Sequence, residues 1–175
     1  MELVHGELSL RPPTSADAAE IAAAVTASMA ELAPWLPWAT PGYDLATAAA
    51  WANGELGEEH RFVLVDGSGG IAGSCGLNHL DHENRRANLG YWVRTDRTGR
   101  GHAVAATRLV AGFGFDVAGM HRIEIVMSVR NLASRAVAER AGAHHEGVAR
   151  GRLLLGGEFH DAHTFSLLPG DLHPR

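Results

Sequence analysis

The feature that most constrains the fold is a change of hydrophobic period at residues 98–101, which read Thr-Gly-Arg-Gly. Before this run, residues 86–94 alternate between apolar and polar side chains, which predicts a β-strand. After it, apolar side chains recur at intervals of three and four, which predicts an amphipathic helix with the stripe Ala103, Ala106, Val110, Phe113 and Val117. A strand, a glycine loop and a helix therefore follow one another, and we expect a mixed α/β protein.

The remaining segments extend this pattern. Alternating or β-branched runs predict further strands at residues 3–11, 61–66, 71–78, 121–129, 148–155 and 159–168. Helices are expected from Thr14 or Ser15 to about Ala33, over residues 44–56 and over residues 131–141, the last of them ended by Gly142. The proline-rich segment 34–38 is typical of a loop. A chain of 175 residues suits a single domain, so we expect one domain over residues 1–175.

Composition excludes several classes of protein. All 15 positively charged residues are arginines, so the chain contains no lysine. Enzymes with a Schiff-base lysine are therefore excluded, and so are nucleotide-binding P-loops. The single cysteine, Cys75, excludes an internal disulfide and cysteine-rich zinc modules. The net charge of −5 argues against direct nucleic-acid binding, which usually needs a basic surface.

Two further expectations concern location and metal binding. The N-terminus is acidic where a signal peptide would be basic, and no segment approaches the roughly 20 apolar residues of a membrane span. We therefore expect a cytoplasmic protein without membrane contact. His79 and His82, like His160 and His163, are three positions apart in or beside predicted strands and would point to opposite faces. We therefore expect no metal site.

The glycine loop is a candidate anion site. Gly99 and Gly101 allow a ligand to approach the backbone closely, and the helix that follows presents unpaired N–H groups and the positive end of its dipole. Arg97 and Arg100 add positive charge. The alternative interpretation is a plain tight turn into a helix. A Rossmann dinucleotide site fits poorly, because position 104 is Val where that fingerprint has Gly.

Asn131 and Ser134 form a second candidate site at the start of the next helix. Asn131 is a natural N-cap, which alone would explain its presence. Ser134 lies one turn further on, near the same helix end, and could donate a proton or position a ligand atom. Two helix N-termini that each follow a strand would meet at one edge of the sheet, which is the usual place for a ligand in open α/β sheets.

These residues resemble the GNAT N-acetyltransferases, in particular the RimJ/RimL branch that acetylates the N-termini of ribosomal proteins. The resemblance covers nearly the whole chain, with its motifs in order at residues 8–12, 15–18, 34–38, 90–93 (Gly-Tyr-Trp-Val), 97–103 (Arg-Thr-Gly-Arg-Gly-His-Ala), 131–137 (Asn-Leu-Ala-Ser-Arg-Ala-Val), 141–143, 146–147 and 157–161. It implies an α/β (α+β) GNAT fold. The expected architecture is a mixed, mostly antiparallel sheet of six to seven strands, flanked by about four helices.

The resemblance also implies acetyl-CoA as the acyl donor. Strand residues 91–94 would pair through their backbone with the pantetheine arm, and the N–H groups of residues 98–103 would hold the pyrophosphate. Asn131 would bond the pantetheine region, and Ser134 would lie near the thioester sulfur. The implied catalytic residues are Ser134 and Asn131. The implied coenzyme-binding residues are Tyr91, Trp92, Val93, Arg97, Thr98, Gly99, Arg100, Gly101, His102, Ala103, Asn131, Ser134 and Arg135.

The chain departs from the family pattern at two positions. Asp96 stands where the family loop often begins with Gln or Arg, and Ala105 stands where relatives often carry Glu. Neither change removes the backbone N–H groups of the loop.

The chemistry of amines sets further expectations. A protonated amine cannot attack a thioester, so a base or a water chain must take its proton. A backbone N–H near Val93 is expected to stabilise the oxyanion, and Ser134 is expected to protonate the leaving thiolate. The sequence leaves the base open among the candidates Glu83, Glu124, Glu146, His79 and His160.

The expected function is N-acetyl transfer to a primary amine, with a protein N-terminal α-amine as the first choice of acceptor. An aminoglycoside or a polyamine as acceptor, and succinyl-CoA as donor, remain open alternatives. A non-catalytic sensor that binds coenzyme A is the alternative from another class. Trp35 and Trp38 are candidate walls of an acceptor site. The resemblance is also compatible with a homodimer.

Overall fold

The computed structural model describes residues 1–57 and 60–172. They form one eight-stranded sheet in the order β1-β2-β3-β4-β5-β6-β8-β7. The strands are β1 (Leu3–His5), β2 (Leu8–Arg11), β3 (His60–Val65), β4 (Ile71–Asp81), β5 (Arg86–Val93), β6 (Arg122–Ser128), β7 (His144–Leu155) and β8 (Glu158–Leu167). All neighbours are antiparallel except β5 and β6, which are parallel. The prediction of a mixed, mostly antiparallel sheet is confirmed.

Five helices pack on the two faces of this sheet. They are α1 (Ala18–Ala27), α2 (Met29–Leu32), α3 (Leu45–Asn53), α4 (His102–Asp116) and α5 (Leu132–Ala141). One core lies under α4 and α5 and includes Ile123, Ile125 and Phe165. The second core lies under α1 and α3 and includes Val63 and Trp92. The fold class is therefore the mixed α/β class that the sequence predicts.

The structure has eight strands rather than the predicted six to seven, because one predicted strand is divided into two. The sequence predicts a single strand over residues 3–11, whereas the structure contains β1 and β2 there. Gly6 adopts a left-handed φ of +59°, which is accessible to glycine, and the chain reverses at this point. Leu3 then pairs with Leu10 across an antiparallel hairpin.

The first predicted helix is also divided, so the structure has five helices rather than about four. A short 3₁₀ turn covers Ser15–Asp17, and the helix is interrupted at Ser28 between α1 and α2. The Ser28 side chain is buried, and its hydroxyl accepts a hydrogen bond from the backbone N–H of Thr95 at 3.1 Å. A partner 67 residues away therefore holds the interruption in place.

The two helix starts next to the candidate sites are where the sequence predicts them. The Asn131 side chain accepts a hydrogen bond from Ser134 N at 3.0 Å, and Gly142 ends α5 with a φ of +90°. Helix α4 ends at Asp116, so Val117, which the periodicity placed in the stripe, lies outside the helix and is exposed. None of the helices in the described part of the chain combines the length and apolar character needed to cross a membrane.

Candidate active site

The sheet opens between its two parallel strands. Strands β5 and β6 pair only over residues 86–88 and 122–124. Beyond these residues, β5 continues to Val93 beside β4, and β6 continues to Ser128 beside β8. The C-terminal halves of the two strands therefore diverge, and we call the space between them the wedge.

The edge of β5 that faces the wedge can pair with an extended ligand. The N–H of Arg94 donates to the carbonyl oxygen of Ala72 at 2.8 Å, so it points toward β4. Because backbone directions alternate along a strand, the N–H groups of Tyr91 and Val93 point the other way, toward the wedge. The N–H and carbonyl groups of Trp92 point toward β4, as the N–H of Arg94 does. Tyr91 and Val93 therefore offer the pairing positions of an added strand.

The glycine loop lies at the open end of the wedge, between β5 and α4. Gly99 and Gly101 have left-handed φ values of +76° and +80°, and a Cβ at either position would find no heavy atom within 4 Å. Gly101 is the N-cap of α4 and provides no side-chain cap. The first N–H groups of this 15-residue helix therefore have no side-chain cap of their own, which fits a bound anion.

The arginines of the loop have different partners. Arg97 donates to Asp66 at 2.6 Å and to the Ser68 hydroxyl at 3.1 Å, so its guanidinium ties the loop to the turn between β3 and β4. The hydrogen bond from Ser68 and the nearby Arg97 charge hold the pKa of Asp66 below its usual value. Within the described residues, Arg100 makes no ion pair, and its guanidinium donates one hydrogen bond, to the carbonyl oxygen of Asp96 at 3.4 Å. Arg100 is therefore the loop arginine best able to neutralise a ligand.

A cavity of about 450 Å³ lies between the first hairpin and the glycine loop. Its lining includes His5, Arg100, Gly101 and His102. The Nε2 atom of His102 is buried and has no hydrogen-bond partner among residues 1–57 and 60–172. The anion loop therefore continues into a recess that could hold further parts of a ligand.

A pair of hydroxyl groups connects β5 to α5. The Tyr91 hydroxyl lies 2.9 Å from Ser134 Oγ, and either oxygen could donate the hydrogen bond. Burial raises the pKa of Tyr91 to about 12, so its phenol stays protonated at neutral pH. Asn131 caps the same helix end through its bond from Ser134 N. The structure therefore brings Tyr91, Asn131 and Ser134 together beside the wedge.

Other predicted site residues have their side chains elsewhere. Trp92 is buried in the core under α1 and α3, with its ring 6.3 Å from that of Trp38 in an edge-on contact. Trp38 is 42% exposed, and Trp35 is half-buried on the same loop. Arg135 bonds Glu139 at 2.9 Å along the surface of α5. Trp38 therefore keeps an exposed surface that a ligand could contact, and the Arg135 side chain is exposed to the same degree.

Two sets of contacts at the site could not be predicted from the sequence. The Tyr91 hydroxyl is 43 positions from its partner Ser134, and no local pattern relates the two. Thr95, next to the glycine loop, donates from its hydroxyl to Glu31 at 3.0 Å and from its N–H to Ser28. These bonds join the loop to α2 and to the residue between α1 and α2, and only the folded structure reveals them. No group of three or more metal-binding side chains occurs within the described ranges.

The strand edge and the uncapped start of α4 together fit a protein that holds an extended, anion-bearing ligand. The acetyltransferase (GNAT) domain model matches residues 7–144. The chain therefore belongs to the GNAT family and is an N-acetyltransferase, which confirms the family predicted from the sequence.

Individual relatives agree with this assignment. The chain is 31% identical over 172 residues to a Bacillus subtilis (strain 168) protein named "Putative ribosomal N-acetyltransferase YdaF", covering 94% of this chain and 93% of the relative. A solved structure of Mycobacterium smegmatis RimJ in complex with CoA-disulfide is 28% identical, with a TM-score of 0.84 over 95% of this chain and 84% of that chain. A structure of RimL with coenzyme A is 21% identical, covers 96% and 98% of the two chains, and shares the fold with a TM-score of 0.87.

Proposed function

We propose that the protein, acting as one catalytic domain in the cytoplasm, transfers the acetyl group of acetyl-CoA to a primary amine. The wedge carries this proposal, because it offers a strand edge, an anion loop and a hydroxyl pair in one place. The Tyr91 backbone and the Val93 carbonyl oxygen would pair with the pantetheine arm. The N–H groups of residues 98–103, with Arg100, would hold the pyrophosphate.

The reaction assigns a separate task to each group near the wedge. The Val93 N–H, which points toward the wedge, would stabilise the oxyanion that forms when an amine attacks the thioester. Ser134 would donate a proton to the leaving thiolate, and its bond with Tyr91 holds the Ser134 hydroxyl in position. Asn131 fixes the first turn of α5 and therefore the position of Ser134.

A protein N-terminal α-amine is the acceptor that we propose. The relative named as a ribosomal N-acetyltransferase aligns over nearly the whole chain, and the RimJ structure shares the fold at 28% identity. The formal net charge of −5 also suits a basic partner, such as a positively charged peptide. The same charge favours a polyamine as the second candidate.

Release of free thiol from acetyl-CoA tests the proposal directly. The panel comprises peptides with free N-termini, the same peptides with blocked N-termini, a polyamine and an aminoglycoside, each also assayed with succinyl-CoA. We expect turnover with the free peptides and none with the blocked ones. Turnover with the polyamine alone would move the acceptor to small amines. Calorimetric binding of coenzyme A without turnover on any amine would identify a sensor and refute the enzyme.

A further inference from the structure

The proposed transfer needs a base, and the geometry of the wedge restricts which side chain can supply it. The wedge is closed at residues 86–88 of β5 and opens toward Val93. Glu83 lies in the turn that precedes β5, and His79 lies on β4 close to that turn. Both are exposed at the closed end. They are therefore too far along the sheet to serve the open end.

Arg122 engages two more of the candidate bases. Its guanidinium donates to both carboxylate oxygens of Glu146 and, at 2.9 Å, to Glu124. These Arg122 bonds, followed by the hydrogen bond from Ser166, lower the pKa of Glu146 to about 2, so it is a weak base at neutral pH. Glu124 lies opposite Asn88 in the register of β5 and β6 at the closed end, and its carboxylate accepts a hydrogen bond from Arg122 there.

His160 is the candidate at the open end of the wedge. Its Nδ1 lies 2.9 Å from the hydroxyl of Ser128, the last residue of β6. The backbone carbonyl of Ser128 accepts from Asn131 N at 2.9 Å. His160 is therefore attached to the same turn that delivers Asn131 and Ser134 to the site.

The Ser128–His160 pair and the Tyr91–Ser134 pair lie on opposite faces of the sheet. Met127 is buried in the core under α4 and α5, and side chains alternate along a strand, so Ser128 and His160 belong to the other face. The Tyr91 ring packs against the core under α4 and α5, where it meets Ser134. An amine could therefore approach the wedge from one face while the thiolate is protonated from the other.

Building on the proposed function, we propose that His160 is the general base of the transfer. The Ser128 hydroxyl would accept from Nδ1–H, which leaves the Nε2 lone pair for the amine. Glu158 Oε2 lies 3.9 Å from His160 Nε2, and Arg130 lies 3.7 Å from the same carboxylate oxygen.

The proposed transfer uses these groups and solvent. The amine nitrogen bonds to the thioester carbonyl carbon, and one N–H proton moves to His160 Nε2. The C–S bond breaks, and the thiolate sulfur takes a proton from Ser134. His160 then releases its proton to solvent, and Ser134 recovers one through Tyr91 from solvent. The products are an amide and a thiol.

Amines of different basicity separate this role from a structural one. The assay uses the best acceptor of the panel and its aminooxy analogue, whose nitrogen is unprotonated at neutral pH. For the amine, we expect His160→Gln to lower kcat/KM by about 10²–10³-fold, the range typical of general base catalysis. For the aminooxy compound, whose N–H becomes far more acidic on attack and can pass its proton to water, the expected loss is several-fold. His79→Gln, at the closed end, is the matched control and should behave as wild type.

Binding and rescue measurements distinguish failure of the base assignment from failure of the proposed function. Coenzyme affinity of His160→Gln, measured by calorimetry, should equal that of wild type, and added imidazole should restore part of the activity of His160→Ala. An equal loss for both nitrogen nucleophiles, or wild-type rates in His160→Gln, would overturn the base assignment while leaving the proposed function intact. A wild-type protein that acetylates no amine would instead overturn the proposed function, and the base assignment with it.

Discussion

Substitution of Gly101 by Glu tests the anion loop most directly. Gly101 has a φ of +80°, so any other residue is strained by roughly 1 kcal/mol, but its added Cβ meets no heavy atom within 4 Å. The carboxylate would place a negative charge at the start of α4, where the dipole favours an anion. At about 5 Å from one phosphate charge, the repulsion is roughly 1 kcal/mol in water and about 3 kcal/mol at an effective dielectric constant near 20.

The expected loss follows from these values. Two phosphate charges give at least about 2 kcal/mol of repulsion, which is more than tenfold in affinity, and the upper value abolishes measurable binding. Calorimetric titration with coenzyme A measures the loss. Gly101→Ala introduces the strain without the charge and should keep most of the affinity.

A second glycine gives a matched control for the charge. Gly119 also has a left-handed φ, +72°, and an added Cβ there meets no heavy atom within 4 Å, but it lies beyond the C-terminal end of α4. Gly119→Glu should lose a similar amount of stability and retain wild-type affinity. If Gly101→Glu folds and binds coenzyme A as tightly as wild type, pyrophosphate does not bind at this loop.

Three further predictions concern the acid, the loop and pH. Ser134→Ala should lower kcat more than it raises the donor KM, and an unchanged kcat in steady-state assays would remove Ser134 from the chemistry. Arg97→Ala leaves the buried Asp66 carboxylate without its ion pair and should lower the free energy of unfolding in urea by about 3 kcal/mol. The folded pKa of Glu146, about 2, lies below its ordinary value of 4.5, so its bond with Arg122 stabilises the fold above pH 4.5 and is lost as pH falls toward 2. Glu146→Gln should therefore flatten this part of the Tm curve, and an unchanged slope would contradict the assignment.

The sequence predicts the helices and the loop around the candidate site well because their signals are local. The period of the apolar residues identifies α4, Asn131 and Gly142 mark the two ends of α5, and the glycines between β5 and α4 mark the loop. Each signal depends on neighbours within one or two helical turns. Since caps and periodicity act over such short distances, tertiary packing had little opportunity to override them.

The parts that the sequence misses depend on distant partners. Nothing near Ser28 indicates that a helix should be interrupted there, because its partner is the backbone of Thr95. The same holds for Tyr91, whose strand position is predictable but whose hydroxyl meets Ser134 only after β5 and α5 come together. The partial pairing of β5 with β6, which creates the wedge, likewise appears only in the register of the folded sheet.

The arrangement of charges explains how the loop accommodates Asp96 without a lysine to offset it. Asp96 accepts hydrogen bonds from Arg94 at 3.1 and 3.2 Å, and Arg97 lies 3.7 Å away while it also engages Asp66. Two arginines are therefore occupied with two carboxylates, and Arg100 supplies the remaining positive charge. A loop with so small a charge surplus must hold an anion mainly through backbone N–H groups at the start of α4. The affinity of the loop for an anion should therefore depend on backbone geometry more strongly than on ionic strength.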